Sequence, residues 1–174
     1  DLLANLALLK LYQFNPSLCS PTATLSILFL ALAHAPFSPD FALAWSLLSD
    51  SFVLGAALPP PPPASDDEDE QGEPVLRAPA AAHGEKETAE RLKEMSGLLL
   101  ARKFKAFWTA LKAGGAGPEE EFVRENVAAL LASANGFEAR LRDNVAVEIE
   151  ASFRGLALKT LESFLGLEGE RLAG

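Results

Sequence analysis

The residue types that most often carry out chemistry in proteins are sparse in this sequence. The chain has two histidines, His34 and His83, and a single cysteine, Cys19. Neither histidine has acidic residues at ligand spacing, so we expect no metal site. One cysteine excludes an intrachain disulfide and a cysteine-built zinc site, which fits a reducing compartment. No nucleophile and base form a recognisable pattern, although distant residues could meet in space.

One further motif resembles a catalytic one only in part. The glycine-rich stretch 114–117 is followed by Pro118 and three glutamates, whereas a phosphate-cradling loop needs Lys and Ser or Thr there. A proline and carboxylates in this position are instead typical of a helix N-terminus. The sequence therefore predicts a protein that is not an enzyme and that binds no cofactor.

The charge distribution argues against direct nucleic-acid binding. The formal net charge is −9, and no dense run of lysines and arginines is present, whereas proteins that grip phosphates show a basic patch. Residues 55–84 combine five consecutive prolines with the acidic run Asp66–Glu70. Such a segment has little to bury, so we expect a disordered loop. Ser65 is a candidate site for an acid-directed kinase, but a charged, solvated loop is the favoured interpretation.

The elements that would position any site are helices. Apolar periodicity and proline or glycine boundaries predict helices over 2–14, 20–35, 38–49, 85–101, 104–113, 117–133, 137–153 and, as helix–turn–helix with its turn near Gly166, 157–174. Ser20 and Ser38, each followed by proline, are the expected N-caps of the second and third helices. In 85–101 the spacing places Leu92, Met95, Leu98 and Leu99 on one side and Glu87 at i,i+4 to Arg91, and a break is expected near Arg102. An i+4 ladder follows in the next-to-last segment: Phe137, Leu141, Val145, Ile149 and Phe153. Alternation typical of a strand never persists, which predicts an all-α fold. Region 21–58 is poor in charge, but Pro36 and Pro39 cut it into pieces of roughly 20 Å, too short for a hydrocarbon core of ~30 Å. Two buried helices are therefore favoured over a membrane span.

The first helix is unusually apolar. Its polar residues Asn5, Lys10 and Gln13 fall within one arc of about 140°, and the remaining circumference is apolar. The pattern predicts a helix packed on more than one side, as in stacked helical pairs.

Near the end of the sequence, helix–turn–helix spacing in 157–174 could indicate DNA binding. That segment has only Lys159 and Arg171 as cations, so a protein-contacting helical pair is favoured.

Several stretches carry a family resemblance. LKLYQFNP (9–16) is the most specific, and TATLSILFLALAHAPFSPDFALAWSLL (22–48), FKAFWTAL (104–111) and GFEARLRDNVAVEIEASFRGLALKTLESFLGL (136–167) follow in the same order. In these stretches the chain resembles the k-subunit family of eukaryotic translation initiation factor 3, especially its fungal forms. Subunits of the proteasome lid and the signalosome share the architecture and are the nearest alternatives. The acidic, proline-rich insert departs from the family pattern, and we interpret it as a lineage-specific loop.

The resemblance implies a HEAT-like helical repeat stack followed by the start of a winged-helix domain. The corresponding divisions are 1–54 and 85–155 for the stack, 55–84 for the loop and 156–174 for the winged helix. The resemblance also implies a non-catalytic, cytoplasmic scaffold subunit that supports recruitment of mRNA and initiator tRNA to the small ribosomal subunit. Its expected partners are the other subunits, above all the l subunit, with no direct DNA contact and no membrane. Because the chain starts at Asp1 rather than Met, we expect it to be part of a longer protein.

Five apolar residues near the end of the chain are candidates for a subunit interface or for the winged-helix core: Leu158, Leu161, Phe164, Leu165 and Leu167. Core packing is the expected role for most of them. A different class of function, a helical carrier of a hydrophobic ligand or a peripheral membrane protein, is suggested by region 21–58 and stays open at this point.

Overall fold

The computed structural model describes residues 1–49, 52–53, 84–112 and 118–167. Over this part of the chain the protein is all-helical and has no strand, as predicted. The helices are α1 (Leu2–Phe14), α2 (Pro21–His34), α3 (Asp40–Ser46), α4 (Glu85–Leu100), α5 (Phe104–Lys112), α6 (Pro118–Ser133), α7 (Phe137–Ser152) and α8 (Leu158–Leu165). All but Gly84 of the predicted loop 55–84 lies outside the described residues, and so do Ser65 and His83.

The start of α2 follows the capping rule that the sequence suggested, and the start of α3 departs from it. The Ser20 side chain accepts a hydrogen bond from the backbone N–H of Ala23 at the start of α2, where Pro21 is the first helical residue. Pro39 rather than Ser38 precedes α3, which begins at Asp40, one residue later than predicted. The Ser38 hydroxyl nevertheless accepts from the N–H of Asp40 at 3.1 Å. The third helix is also shorter than predicted, because α3 ends at Ser46 rather than at residue 49.

Helix α2 lies at the centre of the fold and packs against α3, α4 and α7. Its buried residues cover most of its circumference, as expected for the charge-poor region: Thr24, Leu25, Ile27, Leu28, Phe29, Ala31, Leu32 and Ala33. The Phe29 ring stacks on Phe137 of α7 with ring centroids 4.5 Å apart. The predicted i+4 ladder supplies the facing surface of α7, since Phe137, Leu141, Val145 and Ile149 are all buried. The ladder ends there, because Phe153 lies beyond the helix and is half exposed.

Helix α4 joins the centre of the fold to α5 and α6. Leu92, Met95 and Leu99 are fully buried on its inner face, as the spacing predicts, whereas Leu98 of the same predicted face is half buried. Thr88 is also fully buried, and its hydroxyl accepts a hydrogen bond of 3.0 Å from the Asn126 side chain of α6. Among the described residues, no buried side-chain nitrogen or oxygen lacks a hydrogen-bond partner.

One polar pairing expected at i,i+4 spacing is wrong. Glu87 and Arg91 have the spacing of a helical ion pair, but each has a different partner. The Glu87 carboxylate accepts from the backbone N–H of Gly84 at 3.1 Å, which satisfies an N–H at the helix start. Arg91 pairs with Glu94 at 2.7 Å and donates to the carbonyl oxygen of Ala110 on α5.

The predicted break near Arg102 is a left-handed turn without glycine. Arg102 has φ of 57°, a conformation that non-glycine residues rarely adopt. Its guanidinium lies over the Phe37 ring and pairs with Glu148 of α7 at 2.9 Å. These contacts tie the α4–α5 corner to two other parts of the fold.

None of the described helices is both long and apolar enough to cross a membrane.

Candidate interaction surfaces

The five predicted interface residues lie in or directly after α8, at one edge of the fold. Leu161, Phe164 and Leu165 are half buried and pack against the core, and Leu167 is half buried. Leu158 differs from them, because 62% of its surface is exposed. The Phe164 ring contacts Phe104 of α5 with centroids 5.7 Å apart. The structure thus brings this set together as the partly covered apolar face of one short helix.

The C-terminal end of α8 is held by three side chains from the rest of the fold. The indole N–H of Trp108 donates to the Phe164 carbonyl oxygen at 2.8 Å, and Lys112 donates to that of Gly166 at 3.3 Å. Both donors belong to α5. From α7, Nε of Arg142 donates to the Leu165 carbonyl oxygen at 3.1 Å. Three successive carbonyl groups that α8 cannot satisfy internally therefore find partners in two other helices.

Gly166 ends α8 in a left-handed conformation with φ of 67°. The N–H of Leu167 donates to the Glu162 carbonyl and the N–H of Gly166 to that of Ser163, which is the Schellman pattern. A Cβ atom at position 166 would lie 2.5 Å from Cδ2 of Trp108 and 2.7 Å from its Cγ. The glycine is required both for its backbone conformation and for the close approach of the indole ring.

Helix α1 presents a second apolar surface, and this one is open. Its outward face is formed by Leu3, Ala7, Leu11 and Phe14, which fall within about 80° of one another at 100° per residue; we call them the α1 stripe. Leu3 is 75% exposed, Phe14 71% and Leu11 48%. Lys10 lies at the border of the stripe, with its ammonium 4.8 Å from the centre of the Phe14 ring.

The expectation that α1 packs on more than one side is wrong for the described residues. Leu9 is its only buried residue, and α1 contacts α2 and α3 on that side alone. Half-buried Asn5 lies on this inner face, so the predicted polar arc does not coincide with the exposed one. Helical periodicity predicted an apolar circumference correctly but could not show which part of it the fold covers, because that depends on where α2 and α3 lie.

Among the described residues, those that could have carried chemistry do not come together in a recognisable site. His34 is exposed at the end of α2, and no group of three His, Cys, Asp or Glu side chains in the described ranges could hold a metal ion. Burial raises the pKa of the Cys19 thiol above its ordinary value, and the charge of Glu85 acts in the same direction. Hydrogen bonding with Thr24 opposes that rise. A thiol that is held protonated is a poor nucleophile and a poor metal ligand.

Sequence reasoning identified the Gly166 turn but missed the donors that hold it. Trp108, Lys112 and Arg142 are separated from α8 by up to 56 residues along the chain, and no local pattern connects them. Cations favour positions near helix C-termini, and Lys112 could have been expected to bind carbonyl groups at the end of α5, its own helix. It binds the end of α8 instead. The second helix predicted beyond Gly166 falls on residues that the structure does not describe past 167.

Comparison with known proteins gives one consistent result. The chain is 34% identical over 169 residues to "Eukaryotic translation initiation factor 3 subunit K" of Phaeosphaeria nodorum, which covers 97% of the chain. Proteins of the same name from Botryotinia fuckeliana and Mycosarcoma maydis are 34% and 33% identical over 98% and 99% of the chain. No family model matches the chain.

These relatives are longer than the chain, which spans 58%, 59% and 62% of their respective lengths. The similarity nevertheless extends over almost all of the described helices rather than over one motif, and the relatives from different fungi carry one name. The family resemblance seen in the sequence is therefore confirmed, and the chain is a relative of the subunit K proteins of eukaryotic translation initiation factor 3.

Proposed function

We propose that the chain is part of a non-catalytic scaffold subunit of eukaryotic translation initiation factor 3. In this role it acts through protein–protein contacts and supports recruitment of mRNA and initiator tRNA to the small ribosomal subunit. The observation that carries the proposal is similarity to subunit K proteins over 97% or more of the chain in three fungi. The l subunit is the proposed direct partner, and the cytoplasm is the proposed location.

The proposal includes the domain organisation expected from the sequence. Helices α1 to α7 form the proposed HEAT-like stack, and residues from 156 onward begin the proposed winged-helix domain. The mixed composition of the α8 face, half covered by α5 and α7, supports a role for Leu161, Phe164 and Leu165 in packing. Leu158, which is largely exposed, is the member of the set best placed to contact another subunit.

The α1 stripe supports a role in contacting another subunit. A protein that works alone rarely leaves large apolar side chains next to one another on its surface, and the stripe has three. Burying one such side chain stabilises a complex by about 1.5–3 kcal/mol. One charged substitution in the stripe should therefore weaken an interface that includes it by roughly tenfold to a hundredfold.

The test is to tag the full-length protein, purify it gently from its own cells and identify the co-purifying proteins by mass spectrometry. We expect other subunits of initiation factor 3, with the l subunit among the most abundant. Recovery of proteasome-lid or signalosome subunits instead, or of no stable partner, would refute the proposed function. Vesicle flotation of the same preparation tests the membrane alternative, for which we expect no binding.

A matched pair of variants tests the α1 stripe. Leu11→Glu changes a stripe residue that is 48% exposed, and Leu100→Glu changes a residue of 46% exposure at the end of α4. We expect Leu11→Glu to reduce co-purification of partner subunits and Leu100→Glu to leave it unchanged. If Leu11→Glu instead lowers the stability of the full-length protein and leaves its partners unchanged, the stripe packs within the protein and its role in subunit contact is refuted.

A further inference from the structure

We propose that Trp108, Lys112 and Arg142 form a latch that fixes α8 to the helical stack, and that the latch depends on Gly166. The stack and α8 then move as one rigid body, which includes residues on both sides of the predicted boundary between residues 155 and 156. This inference concerns the chain's own mechanics and holds whether or not the proposed function is correct.

The apolar contacts of α8 are too few to hold it alone. None of its side chains is fully buried, and with eight residues it is far shorter than an isolated helix needs to be stable in water. The Phe164 ring contacts Phe104, and its centroid lies 6.5 Å from that of Phe153, but the residue is only half buried. Polar interactions at the helix end must therefore contribute a large share of the attachment.

The three donors suit the end of a helix. The last carbonyl groups carry the negative end of the helix dipole, and Lys112 and Arg142 bring positive charge to it. Arg142 is itself held in place, because Glu138 accepts from its guanidinium at 2.8 Å and its Cζ lies 5.2 Å from the centre of the Trp108 ring. The donors come from α5 and α7, so α8 bridges two helices of the stack.

Gly166 is the point at which the latch can be broken with one methyl group. The three nearest atoms to a Cβ at this position all belong to the Trp108 indole, at 2.5 to 2.9 Å. The ring is 3% exposed and also donates to Phe164, so it cannot retreat without losing that hydrogen bond. Gly166→Ala should therefore displace the indole and release the carbonyl groups that it and its neighbours bind.

The first test compares three glycine-to-alanine variants by amide hydrogen exchange in the full chain. Gly166→Ala has both a left-handed backbone and the indole contact, Gly136→Ala has φ of 78° but nothing within 4 Å, and Gly97→Ala has open space and no left-handed backbone. We expect Gly166→Ala to speed exchange of the Leu161 and Leu167 amides at least tenfold. Gly136→Ala should affect only the start of α7, and Gly97→Ala should change neither region. Unchanged exchange of α8 amides in Gly166→Ala would overturn the proposal.

A further comparison keeps the inference testable if Gly166→Ala folds poorly. Arg142→Met removes the donor to Leu165 and the cation over the Trp108 ring but leaves Gly166 unchanged, and Arg140→Met changes an exposed arginine of the same helix. We expect faster α8 exchange in the first and no change in the second; equal exchange in both would refute the latch.

A double-mutant cycle tests whether Gly166 and Trp108 act together. In a Trp108→Phe background the ring is smaller and the indole N–H is absent, so Gly166→Ala should increase exchange by several-fold less than it does alone. Additive effects of the two substitutions would show that the residues do not act together.

Discussion

Replacement of Thr88 by valine tests how the α4–α6 contact is held. The Thr88 side chain is fully buried, and its hydroxyl donates to the Gly84 carbonyl and accepts from Asn126 of α6 at 3.0 Å. Valine has nearly the same shape, so the substitution removes hydrogen bonds and leaves the packing volume almost unchanged. The Gly84 carbonyl keeps a second partner, because it also accepts from the backbone N–H of Thr88 at 2.9 Å.

The magnitude follows from the group left without a partner. A hydrogen bond contributes about 0.5–1.5 kcal/mol net, and an unsatisfied buried donor costs about 1–3 kcal/mol. Asn126 is half buried, so water can reach part of its amide and the cost lies toward the lower end. We therefore expect Thr88→Val to lower the free energy of unfolding by about 1–2 kcal/mol, which corresponds to roughly 2–8 °C in Tm for a chain of this size.

Thr109→Val is the matched control. The Thr109 hydroxyl makes the same i to i−4 hydrogen bond within a helix, to Lys105 at 3.0 Å, but it is exposed and water can replace the partner. A surface change of this kind should stay within about 0.5 kcal/mol. Urea unfolding followed by far-UV circular dichroism measures both variants, and the slope with urea should not change. A Thr88→Val cost within about 0.5 kcal/mol of the control would refute the assigned role of the buried hydroxyl.

Two further predictions concern the core and the cysteine. Phe137→Ala removes a buried ring stacked on Phe29 and should lower the free energy of unfolding, measured with urea, by about 3–5 kcal/mol. The control Phe14→Ala removes a ring that is 71% exposed and should change the free energy of unfolding by less than about 0.5 kcal/mol. Equal changes in the two variants would contradict the assigned core. The raised pKa of the Cys19 thiol predicts a stability contribution that is complete below the ordinary thiol pKa of about 8.5 and is lost as pH rises through the folded-state value. Urea unfolding of the wild type and Cys19→Ala between pH 7 and pH 10 measures it, and identical pH profiles would show that burial of the thiol has no such effect.

Most helix positions could be predicted from the sequence because helix starts, ends and apolar faces depend on residues that are close together along the chain. Ser20 with Pro21 at the start of α2 and Gly136 at the start of α7 each act on backbone groups within a few residues of themselves. The predicted inner faces of α4 and α7 were correct for the same reason, since helical spacing alone places Leu92 with Met95 and Leu141 with Val145. The family relationship could also be recognised from the order of sequence stretches.

Relations between helices could not be obtained in this way. The latch on α8 joins Trp108 to Phe164 and Arg142 to Leu165, and neither pair shares a pattern that a linear sequence displays. The pairing of Glu87 with Arg91 failed because Gly84 and Glu94 offered nearer partners in the folded arrangement. The five candidate interface residues could be named from the sequence. The burial of Leu161, Phe164 and Leu165 among them depends on where α5 and α7 lie.

The sequence by itself determined where the chain is helical, which helix faces are apolar and which family the chain resembles, because these depend on residues close together along the chain. The tertiary structure alone decided that Leu9 faces inward while Leu3, Leu11 and Phe14 face solvent, and that α8 is held at its end. The residues of an apolar helix face do not indicate which other helix will pack against it. Which face is covered depends on the summed packing of all the helices, and that sum exists only in the folded molecule.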